Sequence, residues 1–258
     1  MPTCGSSNAL SVADINDDNY SDVLSVAPSM NLACVHLYDA ANGTLGNATP
    51  IALSSGLISA LAGDIVGDGG ADIVSVHQNG IVSLREYDTK RNTFSDNSTV
   101  TIDVNGTATA AQLVGLTGDY FEGSQGAFTV IVVDSLGHSS QITWNSGALS
   151  PTGDTMDGLS DDLVLGDIDF DGDIDIFSPT LQGYTLAENT ASGWSTTSVV
   201  SNLNFENTTL ADHDNNGAMS LFVPQFDSPD GNAQTLDGNL TKYSTSDAAY
   251  STCALVKS

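Results

Sequence analysis

The residues best able to do chemistry form one run, Gly166-Asp167-Ile168-Asp169-Phe170-Asp171-Gly172-Asp173-Ile174-Asp175, with five aspartates at alternate positions. Carboxylates held this closely repel one another and destabilise a compact state. A hard divalent cation removes that objection. Calcium takes six to eight oxygen ligands, and a tight loop with acids at positions 1, 3 and 5 wraps around it, a glycine permitting the sharp turn. Counting from Asp167, positions 1, 3, 5 and 9 are Asp167, Asp169, Asp171 and Asp175, and Asp173 at position 7 offers its backbone carbonyl. An EF-hand would need glutamate at position 12, where this chain has Ser178. The run therefore reads as a calcium loop of another kind, closed by an acid at position 9.

The motif recurs. A first copy runs Asp14-Ile15-Asn16-Asp17-Asp18-Asn19-Tyr20-Ser21-Asp22 and a second Asp64-Ile65-Val66-Gly67-Asp68-Gly69-Gly70-Ala71-Asp72. A degraded third begins Asp119-Tyr120-Phe121-Glu122-Gly123, and a fifth runs Asp212-His213-Asp214-Asn215-Asn216-Gly217. Their first aspartates stand at 14, 64, 119, 167 and 212, so the repeat spans the chain at a period of 45 to 55 residues.

Each loop must be held by strands. A small apolar strand enters it (Leu10 to Ala13, Leu57 to Ala62, Leu163 to Leu165) and a Val/Ile-rich strand leaves it (Val23 to Val26, Ile73 to Val76). A third strand alternates, as in Cys34 to Tyr38, Ile81 to Leu84 and Gln141 to Trp144. A polar turn follows, such as Asp39 to Gly43, and a fourth strand closes the unit, as in Pro50 to Leu53, Val100 to Asp103 and Ser198 to Val200. Four-stranded units at this period predict an all-β fold, a closed β-propeller of five blades over residues 1–258 as a single domain. The expected blades are about 8–55, 56–105, 106–155, 156–202 and 203–258. A β-sandwich is the runner-up, but it would not repeat a loop at constant phase.

The pattern Gly-Asp-x-Asp/Asn-x-Asp-Gly-x-x-Asp followed by a Val/Ile/Leu strand resembles the FG-GAP (VCBS-type) repeat, which builds the propeller of integrin α-subunits, some fungal lectins and many secreted bacterial proteins. The resemblance implies calcium, two to four ions. Copy 4 matches in full. Copy 1 offers Asp14, Asn16, Asp18 and Asp22, with Tyr20 at position 7 and Asn19 replacing the glycine, a residue that tolerates the same left-handed backbone. Copy 5 offers Asp212, Asp214 and Asn216, but has Ser220 where the last acid belongs. Copy 2 keeps Asp64, Asp68 and Asp72 and has Val66 at position 3, one ligand short. Copy 3, with Phe121 and Gly123 in place of acids, is expected to be empty. The integrin propeller has seven blades and this chain has room for five, so that propeller's partner-binding face does not carry over.

Composition narrows the function. Five basic residues face 32 acidic ones, a formal net charge of −27, and 28 of the acids are aspartate. Aspartate favours turns and metal loops over helices. Such a charge repels phosphates, which excludes nucleic acid as a direct partner, and argues against an anionic membrane surface. No apolar run is long enough to insert into a membrane, and residues 1–5 lack the apolar core of a signal peptide. Six sequons stand at Asn42, Asn47, Asn97, Asn105, Asn207 and Asn239, as expected of a secreted, extracellular glycoprotein.

No catalytic signature appears. The histidines stand at 36, 77, 138 and 213, and no Gly-x-Ser-x-Gly elbow, phosphate loop, His-Glu-x-x-His or Cys-x-x-Cys occurs. The expectation is a non-enzymatic binding or adhesion module with a glycan or protein ligand. An alternative is a structural subunit that binds itself in a filament or surface layer. A calcium-assisted polysaccharide lyase is a further one, though the bases Arg85, Lys90, Arg91, Lys242 and Lys257 all lie outside the loops. Trp144, Tyr184 and Trp194 are candidate sugar platforms. Cys4 and Cys253 occupy nearly the same place in the repeat, which predicts a disulfide closing the ring, with Cys34 a buried thiol. The rivals are Cys4 with Cys34, and no bond.

Overall fold

The computed structural model describes residues 9–115, 128–168, 174–180, 183–190, 193–200, 208–211, 220–223 and 234–236. The chain divides into two compact units, Met1–Asp157 and Gly158–Ser258. All regular structure among the described residues is β, apart from one turn of 3-10 helix at Pro28–Met30, and no helix is long and apolar enough to cross a membrane.

The first unit carries three four-stranded antiparallel sheets. Sheet 1 is formed by β1 (Ala9–Ala13), β2 (Asp22–Ala27), β3 (Leu32–His36) and β6 (Thr49–Ala52). A separate hairpin of β4 (Tyr38–Asp39) and β5 (Thr44–Leu45) interrupts it. Sheet 2 comprises β7 (Leu57–Gly63), β8 (Asp72–His77), β9 (Ile81–Asp88) and β10 (Thr93–Thr101). Sheet 3 comprises β11 (Ala108–Gly115), β12 (Phe128–Asp134), β13 (Ser139–Asn145) and β14 (Ala148–Pro151). In the second unit, sheet 4 joins β15 (Val164–Gly166), β16 (Asp175–Thr180), β17 (Gly183–Thr190) and β18 (Gly193–Val200). Three further strands pair as β19 (Thr209–Ala211), β20 (Ser220–Val223) and β21 (Gln234–Leu236).

Every sheet in the first unit runs in chain order, consecutive strands pairing except where the β4–β5 hairpin lies between β3 and β6. The strands leaving the loops are rich in β-branched residues and buried on both faces. Strand β8 shows what this achieves. Ile73 joins a cluster with Leu24, Val26 and Val35 of sheet 1, whereas Val74 and Val76 join one with Leu113, Val130 and Ile142 of sheet 3. The two-residue period thus makes sheet 2 the filling between its neighbours. Ser11 ties β1 to β7 through a bond accepted from the Ala62 amide at 3.0 Å. Gly63 lets β11 come close, since a Cβ there would stand 3.3 Å from the Leu113 methyl.

Two strand limits differ from the sequence expectation. The third strand of sheet 1 stops at His36 rather than Tyr38, because the Tyr38 amide is taken by the Asp22 carboxylate at 2.7 Å and leaves the ladder. The fourth strand of sheet 2 begins at Thr93, well before Val100, and absorbs a bulge between Asp96 and Ser98.

Candidate metal centre

Loop 1 joins β1 to β2 and loop 2 joins β7 to β8. In both, the residue at position 2 is apolar and buried (Ile15, Ile65), which anchors the loop in the core. The position-1 acid then gathers amides ahead of it. Asp14 accepts from Asp18 at 3.1 Å and Asn19 at 2.7 Å. Asp64 accepts from Gly67 at 2.7 Å, Asp68 at 3.0 Å and Gly69 at 3.1 Å. Position 6 needs a left-handed backbone, with φ +67° at Asn19 and +104° at Gly69. Asparagine therefore does what the glycine does elsewhere in the repeat.

The position-9 acids have a role that spacing did not reveal. Asp22, Asp72 and Asp175 are completely buried. One oxygen of each accepts the position-2 amide, from Ile15 at 2.9 Å, Ile65 at 3.0 Å and Ile168 at 2.8 Å. The other oxygen reaches the far end of the third strand, to the amide of Tyr38 just beyond β3 at 2.7 Å and to those of Tyr87 and Asn189 in the last residues of β9 and β17 at 3.2 and 2.9 Å. Each acid thus staples loop to sheet. Burial pushes the Asp72 carboxyl up to about 7 against the pull of its three amides. Burial, with Asp18 and Asp14 nearby, raises Asp22 in the same way. Asp68 is raised by burial and by the charges of Asp64 and Glu86. No Lys or Arg lies in the loops.

One atom tests whether a cation fits. Asn16, at position 3 of loop 1, donates its amide to Asp18 at 2.9 Å, while its Oδ1 is buried without a hydrogen-bond partner. An orphaned carbonyl oxygen on a side chain bonded to the Asp18 carboxylate suits a hard cation. In loop 2 the same position holds Val66, which packs against the hydrophobic cluster of sheets 2 and 3 instead. Its amide goes to Asp72 at 3.0 Å. The two loops also touch: the Ala71 amide donates to the Asp14 carbonyl at 3.0 Å. Tyr20, at position 7, is half exposed, with its ring 5.4 Å from that of Tyr38.

Of loop 4, the structure places Asp167 and Asp175, and Asp169, Asp171 and Asp173 lie outside the described residues. So do Asp212, Asp214 and Asn216 of the fifth copy, and the third copy. The sugar-platform expectation needs correction at Tyr184. That residue is buried, with its ring 4.9 Å from Phe177, and is core packing. Trp144 is half-buried against the cluster of sheets 2 and 3, and Trp194 faces Asn189 across β17 and β18. Asn42, Asn47, Asn97 and Asn105 are all exposed. Asn97 lies in β10 at its bulge rather than in a turn, and Asn207 and Asn239 lie outside the described residues. Cys34 is buried and disulfide-bonded rather than a free thiol. Cys4 and Cys253 lie outside the described residues. With three cysteines in the chain, a bond at Cys34 and a Cys4–Cys253 closure exclude one another.

Sequence reasoning also missed a buried serine in the middle of the exit strands β2, β8 and β16. Ser25 bonds His36 Nε2 at 3.2 Å, Ser75 bonds His77 Nε2 at 3.2 Å, and Ser178 accepts the Ser160 amide at 2.6 Å. The signal was a small polar residue at one phase of three apolar runs. These Ser–His pairs lie within sheets. His77 turns its other nitrogen to the Ser55 carbonyl at 3.2 Å, and burial lowers its pKa, so it stays neutral. His138 instead pairs with Asp157 at 2.5 Å on the surface, which raises its pKa.

No family model and no curated protein sequence matches the chain. Among solved structures it is similar to the crystal structure of a protein from Lactobacillus plantarum, at a TM-score of 0.55 and 14% identity over 88% of this chain and 69% of that one. The likeness is one of fold.

Proposed function

We propose that the chain is a secreted five-bladed β-propeller of the FG-GAP kind, stabilised by calcium and acting by binding rather than catalysis. The observation carrying the calcium reading is the orphaned Oδ1 of Asn16, whose own amide nitrogen is bonded to the Asp18 carboxylate. Asp14, Asn16, Asp18 and the Tyr20 carbonyl would hold the ion in loop 1, with Asp22 closing the loop. The acids at 167, 169, 171, 173 and 175 would do so in loop 4. Asp212, Asp214 and Asn216 form a third, leaner set, and Asp64, Asp68 and Asp72 a fourth. The ion supplies positive charge where the chain concentrates carboxylates. Four exposed sequons support an extracellular setting, and the ligand is a glycan or a protein.

The test is thermal unfolding with calcium and with chelator. An ion that binds only the folded state adds about 2.7 kcal/mol per site at a hundredfold excess over its dissociation constant. Chelator should therefore lower the melting temperature by many degrees. Asn16→Ala should reduce the bound calcium by one ion per chain. Identical melting curves in the two conditions end the calcium reading.

A further inference from the structure

The first unit carries an open cavity of about 1130 Å³ along β1, β7 and β11. Its wall includes Leu10 and Val12, which are 68% and 50% exposed although apolar, together with Leu113 and Phe128. A contiguous patch of apolar side chains left in contact with solvent marks an interaction site where scattered single ones do not. The other part of the lining is acidic. Asp14 and Asp17 follow the end of β1, Asp64 and Asp68 follow the end of β7, and all four line the cavity. Among the described residues, neither Lys, Arg nor His lines it. One end is therefore anionic and the strand wall apolar.

We infer that this cavity receives a basic amphipathic peptide segment of a protein partner, with Lys or Arg side chains at the acidic end and apolar ones against Leu10 and Val12. The inference rests on the reading of the chain as a binding module, and it selects protein over glycan as the ligand. The selection follows from the lining. A saccharide is held by stacking on exposed aromatic rings, and among the described lining residues Tyr20 and Phe128 alone are aromatic. An anionic segment meets the Asp17 carboxylate, which stands outside the candidate ligand sets, and no base among the described lining residues. A cationic one gains Coulomb attraction in a recess where solvent screens it less than on an open face.

Asp17 allows this to be separated from metal binding, because it stands at position 4, outside the candidate ligand set. Its carboxylate leans over loop 2, where a Cβ on Gly69 would come within 3.1 Å of it.

The experiment measures fluorescence anisotropy of a labelled hexapeptide alternating lysine and leucine, titrated with the full chain in saturating calcium. Controls are a glutamate–leucine hexapeptide and hexalysine. The lysine–leucine probe should bind, more tightly than hexalysine, and the glutamate probe should not. A Leu10→Ser, Val12→Ser double variant changes only exposed side chains and should weaken binding about tenfold, the loss expected for two apolar contacts. Asp17→Asn should weaken it a few-fold and flatten its dependence on salt. Melting curves in calcium establish that both variants fold. The inference is overturned if the wild-type chain fails to bind the probe, if either control binds as well, or if both variants bind like wild type. Chelator melting curves judge calcium separately, so failure of one reading does not mimic failure of the other.

Discussion

Asp22 accepts the backbone amide of Tyr38 at 2.7 Å, across sixteen residues of chain, and with its other oxygen accepts the amide of Ile15 at 2.9 Å. The side chain is fully buried, so each bond is made where water cannot replace it. Asp22→Asn keeps one acceptor oxygen and turns an NH₂ group toward the other amide. A buried donor left unsatisfied costs about 1–3 kcal/mol. Urea unfolding should show a lower midpoint at unchanged slope, in calcium and in chelator alike. An effect confined to calcium would assign Asp22 to the metal alone.

The pH dependence has a defined sign. Asp72 is raised to about 7 by burial, and Asp22 and Asp68 are raised with it. The folded state thus holds these protons more tightly than the unfolded chain, whose carboxyls titrate near 4. The stability this gives is full below about 4 and is lost as pH rises through about 7. In chelator the melting temperature should therefore fall across that window. In calcium the trend should reverse, because protons compete with the ion for the same oxygens. Melting curves at several pH values under both conditions read this directly, and Asp72→Asn should flatten the chelator series.

Val66 makes loop 2 one ligand short. Replacing it with asparagine gives up packing against the apolar cluster, at about 1 kcal/mol, and places an oxygen where Asn16 stands in loop 1. Calorimetric titration of Val66→Asn should detect tighter binding or one additional calcium ion. An unchanged isotherm would show that loop 2 is closed to the ion for another reason.

Cys34 should appear in a cross-linked peptide when the native protein is digested without reductant. Mapping that peptide also names its partner. Finding Cys34 alkylated and Cys4 joined to Cys253 would restore the ring-closing bond in place of the one at Cys34.

Expression in a secreting eukaryotic cell should add glycan at the exposed Asn42, Asn47, Asn97 and Asn105. Asn97 donates its side-chain amide to Glu86, and Asn42 to Asp39 at 2.6 Å, so these two need to release a bond before modification. Intact mass before and after removal of N-glycans checks the sites.

The loops and the strands leaving them were legible because both depend on local chemistry. Aspartate at alternate positions marks the turn, and a Val/Ile run after it has no partner but a sheet. The staple from Asp22 to Tyr38 was not legible in the same way. It couples position 9 to an amide 14 to 16 residues on, and only the geometry of the third strand brings the two together. The same bond ended β3 two residues early. Tyr184 misled for a related reason. Aromatic residues look alike in sequence whether they face a ligand or, like this one, another ring within the sheet.

The bond from Ala71 to Asp14 links the backbones of two loops 50 residues apart in the repeat. Whatever orders loop 1 also fixes part of loop 2 before its own ion arrives. On the calcium reading a second ion would then meet a smaller entropic penalty, which is cooperativity without a change of shape. Uptake by these neighbouring loops should be steeper than for two independent sites, so that the first unit responds to a threshold of calcium rather than in proportion to it.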